Sequence, residues 1–459
     1  MHSDILRAYD IRGTFQKNLC EDTAITLARV FKTFLLQKHK KNEYTVIIGR
    51  DGRLSSPILY SALRETLLKV GVHVIDIGIV SSPMLYFAEK ILSPDGAIMI
   101  TASHNPASDN GFKIMAFGQG IYGEQIQELA NLEPAANEKI QGHYKEISVL
   151  DSYITHTLKG VEELSSLKNM RVAWDFSNGA VCAAKSLVEN LAGTHILLND
   201  ILDGTFPAHE PDPTVPENLM QLMRTVKENK CDLGIAFDGD GDRVSVVNAA
   251  GEMIAGDRLV TILSQEVLLE NPGALILADI KSSRVFAEIV QQKGGIPMLT
   301  RTGHSYVKAR MIEAGALLAG EMSGHIFYAD KNYGYDDGLY AALRLLNYLV
   351  KTAKSLEAYD QSLPCYHTSP EIRIPYGNKE KFTLIQKVQD YLNMHTIPFL
   401  DADGVRVEDE KGFWLLRASN TQDLLILRFE GIDAEALAAM KNDFIKLMKE
   451  IYPDFPFAF

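Results

Sequence analysis

A serine and a histidine stand side by side in the segment Thr101-Ala102-Ser103-His104-Asn105-Pro106. A free serine hydroxyl is a weak nucleophile and needs a base, a metal or a prior modification to act. The apolar run 97–100 precedes the segment and a turn-rich stretch follows it, which predicts a strand that runs into a polar loop. The pair indicates a candidate nucleophile, although this loop alone is more typical of an ordinary Ser/Asn turn.

Three aspartates alternate with two glycines in residues 238–243 (Asp-Gly-Asp-Gly-Asp-Arg), directly after the apolar run 233–237. Clustered carboxylates repel one another unless a cation lies among them, and hard oxygen ligands favour Mg²⁺ or Ca²⁺ over zinc. An EF-hand is excluded because its sixth position would be Arg243 and its twelfth Ala249. A phosphatase of the haloacid type stays open, but the third aspartate and the adjacent arginine favour a metal chelate beside an anion.

Two further loops carry groups that bind sugars and phosphates. Residues 320–325 (Gly-Glu-Met-Ser-Gly-His) hold a carboxylate, a hydroxyl and an imidazole between glycines, and such groups bind sugar hydroxyls and move protons. Residues 417–421 (Arg-Ala-Ser-Asn-Thr) combine a guanidinium with hydroxyl, amide and main-chain donors, which suits a phosphate. As an isolated hairpin loop the second segment would be unremarkable.

The elements that must position these loops repeat along the chain as strand, helix, glycine and strand. The copies begin at the strand-like runs 46–51, 172–176 and 275–279. Short apolar strands that alternate with amphipathic helices predict mainly parallel sheets covered on both faces. Ligands of such sheets bind beyond the carboxyl ends of the strands, where the polar loops lie.

The last part of the chain has a different pattern. An alternating run at 371–374 and an amphipathic segment at 381–394 precede three strand-like runs and a closing helix over 434–452. We therefore predict an α/β protein: three topologically related α/β domains with mainly parallel sheets, plus a C-terminal α+β domain. The predicted domains are residues 1–148, 149–252, 253–366 and 367–459.

Charge and composition limit the partners. The chain has 46 basic and 59 acidic residues, a net charge of −13, which argues against nucleic acid or an anionic membrane as partner. No apolar run approaches the ~18 residues of a membrane span, no secretory signal is visible, and four scattered cysteines read as reduced thiols. We expect a cytoplasmic protein, monomer or dimer. A small anion can still bind where cations converge, and the candidates are Arg12, Lys113, Arg243, Lys281 and Arg417.

In this order, with Tyr-Asp-Ile-Arg-Gly at 9–13, the loops resemble the α-D-phosphohexomutase superfamily, and most of all its bacterial phosphomannomutase/phosphoglucomutase group. The resemblance spans residues 9–421 and implies four domains around a central cleft. It implies an enzyme that interconverts hexose 1-phosphates and 6-phosphates through a phosphoserine and a hexose 1,6-bisphosphate, which is both intermediate and activator. One Mg²⁺ ion would be held by Ser103, Asp238, Asp240 and Asp242.

The same resemblance implies roles for the remaining loop residues. Arg12, His104 and His325 would be the candidates for moving protons, while Lys113 and Arg243 would stabilise the transferring phosphoryl group. Substrate would be bound by Tyr9, Lys281, His304, Glu321, Ser323, Arg417, Ser419, Asn420 and Thr421.

The sugar is indicated by Met322, because the glucose/mannose group carries Met after the loop glutamate and the glucosamine-phosphate mutases usually carry Gln. Ala102 departs from the Gly that the most similar members often have. The alternatives are a phosphoglucosamine mutase, a net phosphatase in which water takes the phosphoryl group, and a non-catalytic sugar-phosphate-binding protein.

Overall fold

The computed structural model describes residues 2–161, 164–419 and 423–457. The chain divides into two compact units. The first consists of Met1–Leu259 and Ser323–Tyr359, and the second of Val260–Met322 and Asp360–Phe459.

The first sheet, in the first unit, has a parallel core with an antiparallel edge. Its strand order is β1-β5-β4-β2-β3-β7, in which β4, β2, β3 and β7 pair in parallel and β1, β5 and β4 pair antiparallel. The strands are β1 (Ile11–Thr14), β2 (Tyr44–Arg50), β3 (Val72–Ile79), β4 (Gly96–Ile100), β5 (Asp109–Ala116), β6 (Gln119–Gly120) and β7 (Tyr144–Glu146). The helices are α1 (Glu21–Lys38), α2 (Ser56–Lys69), α3 (Ser82–Leu92) and α4 (Glu124–Ala130).

The second sheet repeats this plan in the order β12-β11-β10-β8-β9, with parallel pairing of β10, β8 and β9. Its strands are β8 (Arg171–Asp175), β9 (Thr194–Leu198), β10 (Leu233–Phe237), β11 (Val244–Asn248) and β12 (Met253–Ile254). The helices are α5 (Leu150–Lys159), α6 (Lys185–Glu189) and α7 (Met220–Glu228). Between β8 and β9, where the repeat predicts a single helix, the chain forms a 3₁₀ turn, Ala180–Ala184, followed by the short α6. The amide of Ala180 donates to the carbonyl oxygen of Gly239, which fixes the start of this turn against the acidic loop.

In the second unit, β13 pairs in parallel with β14 and β15. The elements are α8 (Gly256–Glu270), β13 (Leu275–Asp279), α9 (Arg284–Gln292), β14 (Ile296–Thr300), α10 (His304–Ala314) and β15 (Leu318–Gly320). The third predicted repeat is therefore confirmed in its strand–helix–strand order. The following elements, β16 (Ile326–Tyr328) and α11 (Gly338–Thr352), belong to the first unit, where α11 packs against β10 and β11.

The C-terminal part of the second unit is α+β, as predicted. Its sheet is antiparallel in every pairing of its described strands, with β21 at the centre. The elements are β17 (His367–Thr368), β18 (Ile372–Pro375), α13 (Asn378–Met394), β19 (Val405–Glu408), β20 (Gly412–Ala418), β21 (Leu424–Gly431) and α14 (Ala434–Ile451). They are preceded by α12 (Leu356–Ser362), whose first four residues belong to the first unit. Trp414 and Phe429 pack edge-on against Phe444 of α14 in the core.

Local chemistry explains where the elements that carry the site begin and end. The strands β4 and β10 are buried along their whole length, as expected for strands covered on both faces. Helix α11 is capped by Asp337, whose carboxylate accepts a hydrogen bond from the amide of Tyr340.

The four cysteines are all free thiols. Within the described residues, no helix has both the length and the apolar character that crossing a membrane requires.

Candidate active site

The Ser103 loop leaves β4 with the serine in a left-handed backbone conformation, φ +51°. The hydroxyl oxygen of Thr101 accepts the Ser103 amide at 2.9 Å and closes a tight turn. This turn directs the Ser103 hydroxyl at the acidic loop, where it donates to Oδ2 of Asp238 at 2.8 Å. Nδ1 of His104 lies 3.2 Å from the same oxygen. The predicted nucleophile is therefore 2% exposed and is held between a carboxylate and an imidazole.

The acidic loop follows β10 and depends on both of its glycines. A Cβ on Gly239 would lie 2.4 Å from the carbonyl oxygen of Ser103, so only glycine allows the two loops to meet. Gly241 has φ +79°, and its amide donates to the Asp238 carboxylate at 2.9 Å. These contacts bring the loop back towards its own first aspartate.

The three aspartates form one buried triad. Their side chains are fully buried, and one carboxylate oxygen from each lies within 4.8 Å of the others. Burial, reinforced by the charges of Asp242 and Asp240, raises the pKa of Asp238 well above its usual range. Oδ1 of Asp240 has no hydrogen-bonding partner among the described residues. A cluster of oxygen donors whose negative charges repel one another fits a hard divalent cation.

Two of the predicted cations lie beside the triad. The ammonium group of Lys113 is 2.6 Å from Asp240 and also contacts Asp242. Burial opposes its charge, but the two carboxylates outweigh burial and raise the pKa of Lys113 well above its usual range. Arg12 pairs with Asp10 and donates to the side chain of Asn105 at 2.8 Å. Burial likewise opposes the charge of Arg12, but Asp10 outweighs it and the pKa of Arg12 is raised.

The imidazole of His325 lies between the third predicted cation and two carboxylates. Arg243 donates from Nε to Nε2 of His325 at 3.0 Å. Nδ1 of His325 is 3.0 Å from Oδ2 of Asp336 and 3.6 Å from Oδ1 of Asp242. Since Nε2 accepts a hydrogen bond, the neutral ring carries its proton on Nδ1, on the side of the carboxylates. At His104, burial and then the charges of Arg243 and Arg12 lower the pKa well below its usual value and keep that ring neutral.

The second unit contains its own set of predicted residues. Arg417 donates from Nε to Asp403 at 2.9 Å, with Nη2 at 2.7 Å, so one carboxylate fixes the plane of the guanidinium. The same Asp403 lies 4.0 Å from Nε of Arg301. Glu321 accepts the amide of Gly303 at 2.6 Å, which joins two polar loops at the carboxyl ends of β14 and β15.

Lys281 follows β13 and lies near two carboxylates of the second unit. Its ammonium group is 3.8 Å from Asp279 and 3.7 Å from Glu371. Burial acts to raise the pKa of Glu371, but the charge of Lys281 and the hydrogen bond from Arg373 outweigh it and lower that pKa. Arg428 donates to the carbonyl oxygen of Lys281, which holds the main chain at this position.

The remaining predicted residues differ in how far they are buried. Tyr9 and Ser323 are half-buried, while His304, the first residue of α10, and Ser419, after β20, are buried. Asn420 and Thr421 lie outside the described residues, so their predicted role stays a prediction.

Several residues that support the site were not predicted from the sequence: Asp10, Asp51, Arg53, Asp336, Glu371 and Asp403. Only Asp51 and Arg53 occupy positions in the sequence that indicate a functional role. Asp51 and Arg53 stand in the polar loop directly after β2, at the end of the sheet where such loops carry function. The other four act by pairing with a named site residue, and spacing along the chain does not reveal such a pair.

Comparison with known protein families gives matches along nearly the whole chain. The models described as phosphoglucomutase/phosphomannomutase alpha/beta/alpha domains I, II and III match residues 3–139, 151–251 and 255–366. The model of the C-terminal domain of the same family matches residues 371–447. The chain belongs to the phosphoglucomutase/phosphomannomutase family. The predicted superfamily and fold class are confirmed.

Individual relatives cover the chain from end to end. It is 40% identical over 457 residues to the phosphomannomutase/phosphoglucomutase of Pseudomonas putida, covering 99% of this chain and 97% of that protein. It is 38% identical over 448 residues to a phosphoglucomutase of Neisseria meningitidis, covering 96% of each. A crystal structure of a phosphoglucomutase/phosphomannomutase family protein from Burkholderia thailandensis superposes with a TM-score of 0.90 at 37% identity, covering 100% of both chains.

Proposed function

We propose that this chain interconverts hexose 1-phosphates and hexose 6-phosphates by passing a phosphoryl group through Ser103. A phosphorylated Ser103 gives its phosphoryl group to the free hydroxyl of a hexose phosphate, and the other phosphate of the resulting 1,6-bisphosphate returns to the serine. The observation that carries the proposal is the 2.8 Å contact of the Ser103 hydroxyl with Asp238 inside a buried triad of aspartates. Phosphoryl transfer depends on such positioning and charge neutralisation.

We further propose that the triad, with an oxygen of Ser103 or its phosphate, holds one Mg²⁺ ion. When bound, the ion would offset negative charge on the oxygens of the transferring group. Lys113 and Arg243 supply further positive charge to the same place, since Lys113 contacts Asp240 and Nε of Arg243 is 3.9 Å from Asp238. Ser82 fixes the geometry of the triad by donating from its main-chain amide to the carbonyl oxygen of Asp240 and from its hydroxyl to the carboxylate.

The two histidines are the proposed proton carriers. Arg12 and Lys113 keep their charge because neighbouring carboxylates raise their pKa values, so both act as fixed cations. His104 stays neutral 3.2 Å from the Ser103 hydroxyl and accepts the proton that leaves when that oxygen attacks phosphorus. His325, with its ring oriented by Arg243 and Asp336, serves the hydroxyl of the sugar.

Most of the proposed substrate-binding groups belong to the second unit, whereas Ser323 belongs to the first. Arg417 has a fixed orientation through Asp403, and we assign to it, with Ser419, Asn420 and Thr421, the phosphate that is not being transferred. Lys281 provides a second cation near Glu371. We assign sugar hydroxyls to Glu321 and Ser323, which stand on either side of Met322. The relatives named for both mannose and glucose support these two sugars as substrates.

The test is ³¹P NMR on mannose 1-phosphate and glucose 1-phosphate in separate tubes, each with protein, Mg²⁺ and a trace of the matching 1,6-bisphosphate. A 6-phosphate signal that grows as the 1-phosphate signal falls is the expected result, and the two rates rank the sugars. If inorganic phosphate is the only new product, the mutase proposal is contradicted and the protein acts as a phosphatase. No change in either tube, followed by turnover of glucosamine 1-phosphate, would contradict the proposed sugar.

A further inference from the structure

One buried arginine outside the predicted site holds the main chain of the Ser103 loop. Arg53 follows β2 and is 1% exposed. The four hydrogens of its two amino groups are directed at four carbonyl oxygens of the loop: those of Ser103 and Asn105, both 2.7 Å from Nη2, and those of Pro106 and Asp109, 2.6 and 3.0 Å from Nη1. A single side chain thus spans the whole loop.

The fifth hydrogen of the guanidinium is also bonded. Nε of Arg53 donates to Oδ2 of Asp51 at 3.1 Å, and the other oxygen of Asp51 accepts the Arg53 amide and the hydroxyl of Ser56. The ring of Phe206 covers the guanidinium at 5.0 Å. Every N–H of the planar guanidinium group is therefore hydrogen-bonded. A lysine cannot reproduce this arrangement, because its three N–H donors are all on one nitrogen atom.

The need for this hold comes from the backbone of the nucleophile. Ser103 adopts φ +51°, a conformation that is unfavourable for residues other than glycine and persists only when neighbouring groups impose it. Arg53 binds the carbonyl groups of Ser103 itself and of the three residues 105, 106 and 109 that follow it. The direction of the Ser103 hydroxyl towards Asp238 depends on that backbone conformation.

We propose that Arg53 is a positioning residue for phosphoryl transfer, one that fixes the Ser103 backbone so that Oγ points at the acidic triad. The inference rests on the proposed function, because it assigns Arg53 to the transfer between Ser103 and the sugar hydroxyl. Arg53 acts through its hydrogen bonds to the loop carbonyl groups. The loop requires the planar set of N–H donors of the guanidinium, and a positive charge alone is not enough.

The experiment compares wild type, Arg53→Lys and a matched control, Arg64→Lys. Arg64 lies in the same domain, where its guanidinium stacks over the rings of Tyr60 and Tyr144. A displacement of about 1 Å at the reacting atoms lowers the rate about 100-fold. We therefore expect Arg53→Lys to lower kcat by about that factor with KM within about threefold of wild type, and Arg64→Lys to match wild type in both.

A second readout in the same tubes separates positioning from loss of structure. Inorganic phosphate reports attack of water on the phosphoserine: a bond forms from the water oxygen to phosphorus, the bond to Oγ breaks, and the released oxygen takes up a proton that the water loses. Water is not tied to one binding geometry, so misalignment slows transfer to the sugar more than hydrolysis. We expect the ratio of inorganic phosphate to 6-phosphate to rise at least about tenfold in Arg53→Lys.

If Arg53→Lys does not fold, Asp51→Asn, which weakens the hold on Nε without removing the guanidinium, is judged by the same ratio. An unchanged kcat, or equal losses of transfer and hydrolysis, in an active wild-type background would overturn the role of Arg53 alone. A wild-type protein without turnover would overturn the proposed function as well, so the two failures are distinguishable.

Discussion

The hydroxyl of Ser103 lies between a carboxylate and an imidazole, 2.8 Å from Asp238 and 3.2 Å from His104. The two neighbours differ as bases, because burial lowers the pKa of His104, whereas burial and the charges of Asp242 and Asp240 raise the pKa of Asp238. The charges around this position are three buried aspartates, with Lys113 and Arg243 beside them. At the scale of residues, the proposed chemistry therefore requires a cation that completes this arrangement.

Replacement of Asp240 by Asn tests that dependence. The change removes one negative charge and one oxygen donor from the triad, so we expect the Mg²⁺ concentration for half-maximal activity to rise at least about tenfold. Chelation by EDTA should abolish wild-type turnover, and added Mg²⁺ should restore it. The measurement is initial rate against Mg²⁺ concentration, together with calorimetric titration of the ion.

The matched control is Asp232→Asn, an exposed carboxylate in the same domain that accepts the amide of Arg171. It should leave the Mg²⁺ dependence unchanged. If the Asp240→Asn protein has the same Mg²⁺ dependence as wild type, the proposal that the triad binds Mg²⁺ is contradicted.

The sequence points to candidate residues in the loop motifs, but it gives little sign of the residues that hold them in place. Ser103 and the triad stand out as candidates because motif and preceding strand coincide in the sequence. Arg53 binds loop carbonyls some fifty residues away in sequence, and Asp403 fixes Arg417 from fourteen residues away. Such partners are chosen by the fold, and main-chain acceptors carry no sequence signature.

At the scale of elements, helix α11 begins at a carboxylate that is buried rather than solvated. Asp337 accepts the amide of Tyr340 and the hydroxyl of Tyr153, at 3.0 and 2.9 Å. Burial, despite these hydrogen bonds, raises the pKa of Asp337 from 3.8 to about 7. The cap of α11 therefore titrates near neutral pH.

The free energy of unfolding should decrease as pH rises, because Asp337 loses its proton. A raised carboxyl pKa means that the folded chain binds the proton more tightly than the unfolded chain, so the contribution is complete below pH 3.8 and is lost as pH rises to about 7. Asn cannot ionise, so the free energy of unfolding of Asp337→Asn relative to wild type should improve by roughly 2 kcal/mol between pH 5 and pH 8. Urea unfolding at each pH measures the difference.

The control for this prediction is Asp433→Asn at the exposed cap of α14, where the carboxylate accepts the amide of Ala436. Its difference from wild type should stay constant over the same range. A constant difference for Asp337→Asn would contradict the buried, proton-binding cap.

The sequence pattern located β13 at Leu275–Asp279 and placed a helix after it, where the structure has α9 (Arg284–Gln292). The pattern is less accurate where tertiary hydrogen bonds decide the local form. Between β8 and β9 the predicted helix is divided into a 3₁₀ turn and the short α6, and the amide of Ala180 in that turn is bonded to Gly239 of the acidic loop. The antiparallel pairs β4-β5 and β10-β11 were not anticipated from strand–helix alternation, since strands joined by a loop alone have no helix between them. The pairing of β1 with β5 joins segments that are far apart in the sequence, and alternation does not predict it either.

At the scale of the whole molecule, an acidic chain of net charge −13 is proposed to bind an anionic sugar phosphate. The apparent conflict is resolved within each unit. In the first, Arg12 pairs with Asp10, and Lys113 and Arg243 lie beside the aspartate triad. In the second, Lys281 and Arg417 lie beside Glu371 and Asp403. Local fields at such positions, rather than net charge, govern the binding of a small ion.

The central claim is that Ser103 carries the phosphoryl group that reaches the sugar, and single-turnover transfer from labelled enzyme tests it most directly. The protein is loaded with ³²P from labelled glucose 1,6-bisphosphate, separated from free label and mixed with unlabelled glucose 1-phosphate and Mg²⁺. We predict that the label maps to Ser103 before mixing and appears in glucose 1,6-bisphosphate and glucose 6-phosphate afterwards. Ser103→Ala, folded as wild type, should take up no label. Label retained by Ser103→Ala, or released from wild type only as inorganic phosphate, would contradict the account.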